Sequence, residues 1–327
     1  MGDVTPMPTA CRVNRDLTLE IAEASPAPMG VAEVRVRPAY AGVCGSDLHA
    51  ARTGAWIEYW PATLGHEVAA VVVDSSVETW VAGDRVVVDS RIPCRACADC
   101  AVSPRFCSHL TWLGESRPGG FATDLVVPAT SLHAVPSGLP LDVAALAEPL
   151  AVVLRALDAL PTGVERVLVQ GYGPIGALAH RVLASRGVGV SVTEARQDRR
   201  ELAAARGAEP LARVDAVIDA AGFPGSVLAA VKAVRRGGTV LVVALGPHSI
   251  DLVAQDLVEQ GVQIATSLGF DDGDLPRALA TLAADPEGFA SVISTRIPLD
   301  ELPAVLSGRA DTLGKLVVAC APEESAA

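Results

Sequence analysis

The sequence predicts an α/β protein in two parts, a mainly β part that carries metal-ligating residues and a part built as a doubly wound parallel sheet. Three observations predict it. Cys94, Cys97, Cys100 and Cys107 stand at C-x2-C-x2-C-x6-C spacing, which suits four thiolates closing around one metal ion. Gly171, Gly173 and Gly176 stand at G-x-G-x-x-G spacing between an apolar run and a helical one, the order a dinucleotide-binding turn requires. From Val164 to Ala284 apolar strand-like runs alternate with helical runs, and such alternation builds βαβ units.

Size and composition agree. The chain has 327 residues, 50% of them hydrophobic, enough for two domains that each bury a core. With 26 basic against 38 acidic residues the net charge is −12, which argues against nucleic acid as a partner. No apolar run reaches the roughly 20 residues of a membrane span, and Met1 to Cys11 have neither a basic start nor an apolar core, so neither a membrane partner nor export is expected. Outside the quartet, Cys11, Cys44 and Cys320 suggest no disulfide framework, as expected of a cytoplasmic protein.

In chain order, Ala32 to Arg37 alternates as a half-buried strand that Pro38 should close. Cys44-Gly45-Ser46-Asp47-Leu48-His49 is the first stretch rich in metal and proton chemistry. Gly65-His66-Glu67 leads into the strand Val68 to Val73, and Gly83-Asp84 turns into another, Arg85 to Asp89. After the cysteines, Val126 to Val135 reads as strands. Leu146, Leu150, Val153 and Leu157 then recur at helical spacing, in a helix or a helix broken at Pro149, with Glu148 on an apolar stretch. This is the expected domain junction.

Val164 to Gln170, Val188 to Thr193, Val214 to Asp219, Thr239 to Leu245 and Gln263 to Leu268 read as strands. Ala177 to Ser185, Gln197 to Arg206, Gly225 to Val234 and Asp274 to Ala284 read as helices. Ile293 to Ala319 has strand, helix and strand character and is expected to return to the first part, and the tail after Pro322 should be unstructured.

A closed four-sulfur site leaves no position for substrate, so the quartet predicts a folded lobe and no chemistry. Disulfides or a redox dithiol would need an oxidising compartment or a strand-turn-helix context. Cys44, His66 and Glu67 instead offer sulfur, nitrogen and oxygen, a set that leaves a metal position open, with Glu148 as a fourth ligand or an outer carboxylate. Asp47 is placed to orient His66. Trp56, Tyr59 and Trp60 either line a substrate pocket or belong to the core. In the glycine turn, Gly173 lets the backbone approach pyrophosphate, and Pro174 and Ile175 open the helix beneath it. Glu194 lies where a carboxylate accepts hydrogen bonds from the adenosine ribose, which favours NAD(H) over NADP(H); its bland reading is a solvated strand-end carboxylate. Arg196, Arg199 and Arg200 pull the other way, and Arg199 is counted with the cofactor-binding residues.

These residues resemble the zinc-dependent medium-chain dehydrogenases/reductases of the alcohol dehydrogenase superfamily, in the branch of polyol, threonine and aminocyclitol dehydrogenases, over nearly the whole chain. The resemblance implies a GroES-like, mainly β catalytic domain at 1–152 and 291–327, with a structural zinc lobe at about 92–108, and a Rossmann cofactor domain at 153–290. It implies an active site in the cleft between them, and two zinc ions: a catalytic one on Cys44, His66 and Glu67 with Glu148 of the Glu-Pro motif, and a structural one on the four cysteines. It gives Ser46 the substrate proton and His49 its passage to solvent, where the bland readings are a helix N-cap and a surface histidine.

The implied reaction is hydride transfer between a small polyol, cyclitol or amino alcohol and NAD(P), in a homodimer or homotetramer. A ketone or aldehyde reductase using NADPH and a non-catalytic nucleotide-binding relative are the alternatives, the second weakened by retention of the ligand set. Ala70 and Ser75-Ser76 replace usual glycines, and the short segment between Gly207 and Val214 suggests a trimmed cofactor domain.

Overall fold

The alternation after Ala32 becomes a ten-residue strand, Glu33–Gly42, in the middle of a seven-stranded sheet. Val34 and Val36 turn into a core with Val68, Val72, Val86 and Leu125, as period-two geometry requires. The strand runs through Pro38 instead of ending there. Its ladder with Glu67–Ser75 shifts register between Pro38 and Tyr40, an irregularity at which a residue without an N–H is tolerated.

Lys315–Ala319 pairs antiparallel with Glu33–Gly42, Val317 opposite Gly42, and Ile293–Pro298 lies parallel outside it. The C-terminal strands therefore complete the sheet begun by the N-terminal part. Gly42 is opposite Glu67 on its other side, so the ends of three strands meet where Glu67 begins.

The computed structural model describes residues 7–246, 249–308 and 312–321. The chain divides into one unit of Met1–Glu148 with Leu275–Ala327 and another of Pro149–Asp274. This division passes through the helix Ala147–Leu157 and counts Leu275 onward with the first unit. Pro149 does not break that helix. It occupies the first turn, where its N–H would have no intrahelical partner, and the interruption falls earlier, between Leu141–Ala144 and Ala147–Leu157.

In the second unit, five parallel strands lie in the order Gly189–Thr193, Arg166–Gln170, Val214–Asp219, Val234–Val242, Gln263–Thr266. The helices Pro174–Ser185, Gln197–Ala205 and Ser226–Ala233 connect the first four in sequence. Numbered along the chain the order is 2-1-3-4-5, a doubly wound sheet that, among the described residues, lacks the strand usually found beyond the second. The short segment after Gly207 leads from Gln197–Ala205 straight back to the central strand Val214–Asp219, which is the physical form of the trimming seen in the sequence. Ala254–Gln260 is a further helix that the apolar pattern did not signal. The tail after Pro322 lies outside the described residues. Among the described residues no helix is long and apolar enough to cross a membrane.

Candidate active site

The cysteine lobe folds as a thiol tetrahedron. Sγ atoms are 3.5 Å apart for Cys97–Cys100 and Cys94–Cys107, 3.8 Å for Cys97–Cys107 and 3.9 Å for Cys94–Cys100. Four sulfurs at about 2.3 Å from a zinc ion would be about 3.8 Å apart, so the set fits that metal and is far too open for disulfides. The backbone N–H groups of Cys94 and His109 both donate to Cys107 Sγ at 3.3 Å. The Cys97 thiol is lowered to about 5, first by the N–H of Cys100, whereas burial first pushes the Cys100 thiol up to about 12, so the loop favours a thiolate at Cys97 but not at all four sulfurs.

A second ligand set forms at the meeting of three strand ends. Ligand atoms of Cys44, His66 and Glu67 lie within 4.8 Å of one another, with one soft and two harder donors, which fits zinc with a position left open. Asp47 ties the set together. Its Oδ2 accepts the Cys44 N–H at 2.9 Å, its Oδ1 accepts the Gly65 N–H at 3.1 Å, and the same Oδ1 lies 3.5 Å from His66 Nδ1. Burial alone would lower the His66 pKa, but Asp47 and Cys44 outweigh it and hold it well above the usual histidine value.

Lys315 is the residue that sequence reasoning missed. Its ammonium pairs with the Glu67 carboxylate, both side chains 1% exposed, across 248 residues of chain. The space for this pair comes from Gly42, since a Cβ there would overlap the Glu67 carboxylate and press on Lys315 Cε. The available signal was weak: Lys315 is one of two lysines in an arginine-rich chain and stands at the head of an apolar run. Glu148 is 8% exposed and is pushed up to about 7, chiefly by burial, with His66 and Lys315 opposing and Glu67 and Asp89 adding. It shares the electrostatic environment of the set without belonging to the three residues that converge within 4.8 Å.

Cys44, not Ser46, caps the helix Gly45–Thr53, with Asp47 completing the capping box. Ser46 is half-buried on the first turn and His49 is exposed, its ring 4.9 Å from that of Trp56. Of the three aromatics considered for a pocket, the Tyr59 hydroxyl accepts the Thr63 N–H at 2.9 Å and donates to the Thr63 carbonyl at 3.0 Å, and Trp60 packs on the core. Trp56 alone is exposed.

In the second unit the glycine turn has the required form. Gly173 caps the helix Pro174–Ser185, with Pro174 at its first position and Ile175 next. A methyl on Gly176 would overlap the Gly171 carbonyl, so helix and strand approach as closely as pyrophosphate binding needs. Glu194 braces the turn: Oε2 accepts the Tyr172 N–H at 2.8 Å and Oε1 accepts the Arg196 N–H at 3.0 Å. Desolvation works against its charge, but these bonds and Arg199, 4.0 Å away, hold its pKa below the usual carboxylate value. Arg196 pairs with Asp198, and Arg200 donates to the carbonyls of Glu194 and Ala195. Tyr172, inside the glycine turn, also bonds through its hydroxyl to buried His180 Nδ1 at 2.9 Å, a link that no spacing rule indicates.

Known proteins resemble this chain in sequence and fold. Residues 30–137 match the alcohol dehydrogenase GroES-like domain. D-altritol 5-dehydrogenase of Agrobacterium fabrum is 36% identical over 297 residues, 84% of this chain and 87% of the relative. An L-threonine 3-dehydrogenase of Anaeromyxobacter is 28% identical over 300 residues, again 84% and 87%. A zinc-binding dehydrogenase of Sinorhizobium meliloti, solved with NADP, superposes with a TM-score of 0.90 at 26% identity, covering 96% of this chain and all of that one. With its paired ligand sets, glycine turn and near-complete overlap with such relatives, the chain belongs to the medium-chain dehydrogenase/reductase family of the alcohol dehydrogenase superfamily and is an oxidoreductase acting on alcohols.

Proposed function

We propose that the protein is a zinc-dependent dehydrogenase that transfers hydride between a secondary alcohol of a small polyol, cyclitol or amino alcohol and NAD(H). The observation that carries this reading is the convergence of Cys44, His66 and Glu67 within 4.8 Å. The name of the A. fabrum relative supports a polyol. Zinc bound there supplies Lewis-acid polarisation of an alcohol oxygen. The chain's own residues do the rest. Asp47 fixes His66 and Cys44 in place, Ser46 accepts the substrate proton and His49 carries it towards solvent. Lys315 compensates the buried charge of Glu67, and Glu148 is a nearby carboxylate held near neutrality. Residues 1–152 and 291–327 form the catalytic part and 153–290 the cofactor part, in a cytoplasmic homodimer or homotetramer. Gly171, Gly173, Pro174, Ile175, Gly176, Glu194 and Arg199 hold NAD(H).

Elemental analysis and a panel of polyols, cyclitols and amino alcohols, followed by nicotinamide absorbance, test the reading. Two zinc ions per chain and turnover of at least one alcohol are expected. One zinc ion confined to the cysteine lobe, or no turnover across the panel, overturns it.

A further inference from the structure

The segment Leu113 to Phe121 is laid along Thr63 to Gly65, the residues that lead into His66. Gly119 N–H donates to Thr63 O at 2.8 Å, Gly120 N–H to Gly65 O at 2.7 Å and Phe121 N–H to Leu64 O at 3.0 Å. Gly114 backs onto the same chain, where a Cβ would lie 3.1 Å from Gly65 N. The next residue, Glu115, accepts the Glu58 N–H on its carbonyl at 3.0 Å. Glu115 is thus held between the His66 segment and the segment that carries Trp56 and Glu58.

Its side chain has no structural occupation. Glu115 is half-buried, and its carboxylate takes part in none of the hydrogen bonds or ion pairs found among the described residues. Asp47, Glu67 and Asp89 by contrast are engaged, Asp47 with Cys44 and Gly65, Glu67 with Lys315 and Asp89 with Arg91. Arg117, two residues on, is drawn away to Glu33 at 3.0 Å. Burial raises the Glu115 pKa, His66 lowers it, and Asp47 and Glu58 raise it further, in keeping with the pairing of its segment with the chain that leads into His66. A partly desolvated carboxylate without donors is unfavourable unless something else supplies them.

We infer that Glu115 is a specificity-determining residue of this site, accepting hydrogen bonds from substrate hydroxyls remote from the reacting carbon and repelling a substrate carboxylate or phosphate. The inference rests on the alcohol dehydrogenase reading above and narrows it to neutral, hydroxyl-rich substrates over anionic ones. A carboxylate accepts two hydroxyl donors from adjacent carbons, and a second negative charge at similar range is disfavoured through partly dry protein.

The test compares a hexitol with the hexonate of the same carbon skeleton in the wild type, Glu115→Gln and Glu115→Asp, at about pH 8, where carboxylates are ionised. Both kcat/KM and, by calorimetry on the holoenzyme, Kd are read. The wild type should prefer the hexitol. Glu115→Gln should cut that preference about tenfold, mainly through KM and Kd and not kcat, while Glu115→Asp retains most of it. Zinc content and Tm of the variants should match the wild type. A hexitol-to-hexonate ratio unchanged in Glu115→Gln overturns the assignment of Glu115 alone. Failure of the wild type to oxidise any alcohol overturns the underlying reading and the assignment with it.

Discussion

The two ligand sets of the first unit are opposites in construction. The cysteine lobe draws all four donors from 14 consecutive residues, 94 to 107, and its sulfurs are supported by backbone N–H groups of the same loop. The second set draws donors from two segments, needs Asp47 to tie them together, and depends on Lys315 from the far end of the chain to balance Glu67. A local site is held by its own loop and can be closed by four sulfurs. A site assembled from distant strands leaves a ligand position open, because its geometry is fixed by surrounding structure instead of by ligand count.

The largest effects should separate the two sets. Cys44→Ser or His66→Ala should lower kcat/KM by about a thousandfold or more with little change in Tm, because those residues hold an open site. Cys100→Ser should instead lower stability and soluble yield first, since an incomplete tetrahedron loses the metal that folds the lobe. Paired kinetics and thermal melts decide this. Reversed phenotypes, with Cys100→Ser folded and inactive and His66→Ala unfolded, would break the distinction.

Lys315 sharpens the contrast next. In zinc-stripped protein, Lys315→Met leaves the Glu67 charge buried beside Gly42 without a partner and should cost about 3–5 kcal/mol. The double variant Lys315→Met with Glu67→Gln should recover much of that loss. Denaturant titration measures both, and additive losses would show that the pair is not coupled.

A smaller effect comes from Glu148. Burial raises its pKa to about 7, well above that of an unfolded carboxyl, so the folded chain binds this proton more tightly. The stabilisation is present below the unfolded pKa and is lost as pH rises through about 7. In zinc-stripped protein, Glu148→Gln should therefore flatten the fall in stability between the usual carboxyl pKa and neutrality. Denaturant midpoints across that window check the sign, and a steeper fall in the variant would contradict it.

What was legible in the sequence was local. The quartet, the glycine turn, and most strands and helices are each specified within a few residues, and Cys44, His66 and Glu67 were readable because their donor types have few other joint uses. What was not legible depends on strand register or side-chain placement. Lys315 meets Glu67 only because Glu67 and Val317, two residues on from Lys315, flank Gly42 in the sheet. Glu115 becomes conspicuous only once the pairing of its segment with Thr63 to Gly65 is seen and Asp47 and Glu67 are found engaged. Pro38 misled because local propensity treats proline as a stop, whereas a register shift tolerates it, and of the two readings left open at Pro149 the continuous helix holds because a first turn tolerates proline. Tyr172 and His180 are linked through the buried packing of a helix on its turn.

The last prediction concerns cofactor choice, where side-chain placement alters the weight of each residue without changing its sign. Glu194 repels a 2′-phosphate and accepts ribose hydroxyls, but it also fixes the turn through Tyr172 N–H and Arg196 N–H. Replacing it with alanine should therefore weaken both cofactors, NAD(H) more than NADP(H), because only NAD(H) loses a favourable bond as well as a braced turn. Arg196 and Arg200 are drawn to Asp198 and to backbone carbonyls, which leaves Arg199, beside Glu194, as the arginine best placed to answer a phosphate. The wild type should prefer NAD(H), and Glu194→Ala should move the ratio of kcat/KM values towards NADP(H) by about tenfold. Adding Arg199→Ala should take back most of that shift. Steady-state kinetics with both cofactors reads all three proteins, and a wild-type preference for NADP(H) would mean that Arg199 outweighs the carboxylate it faces.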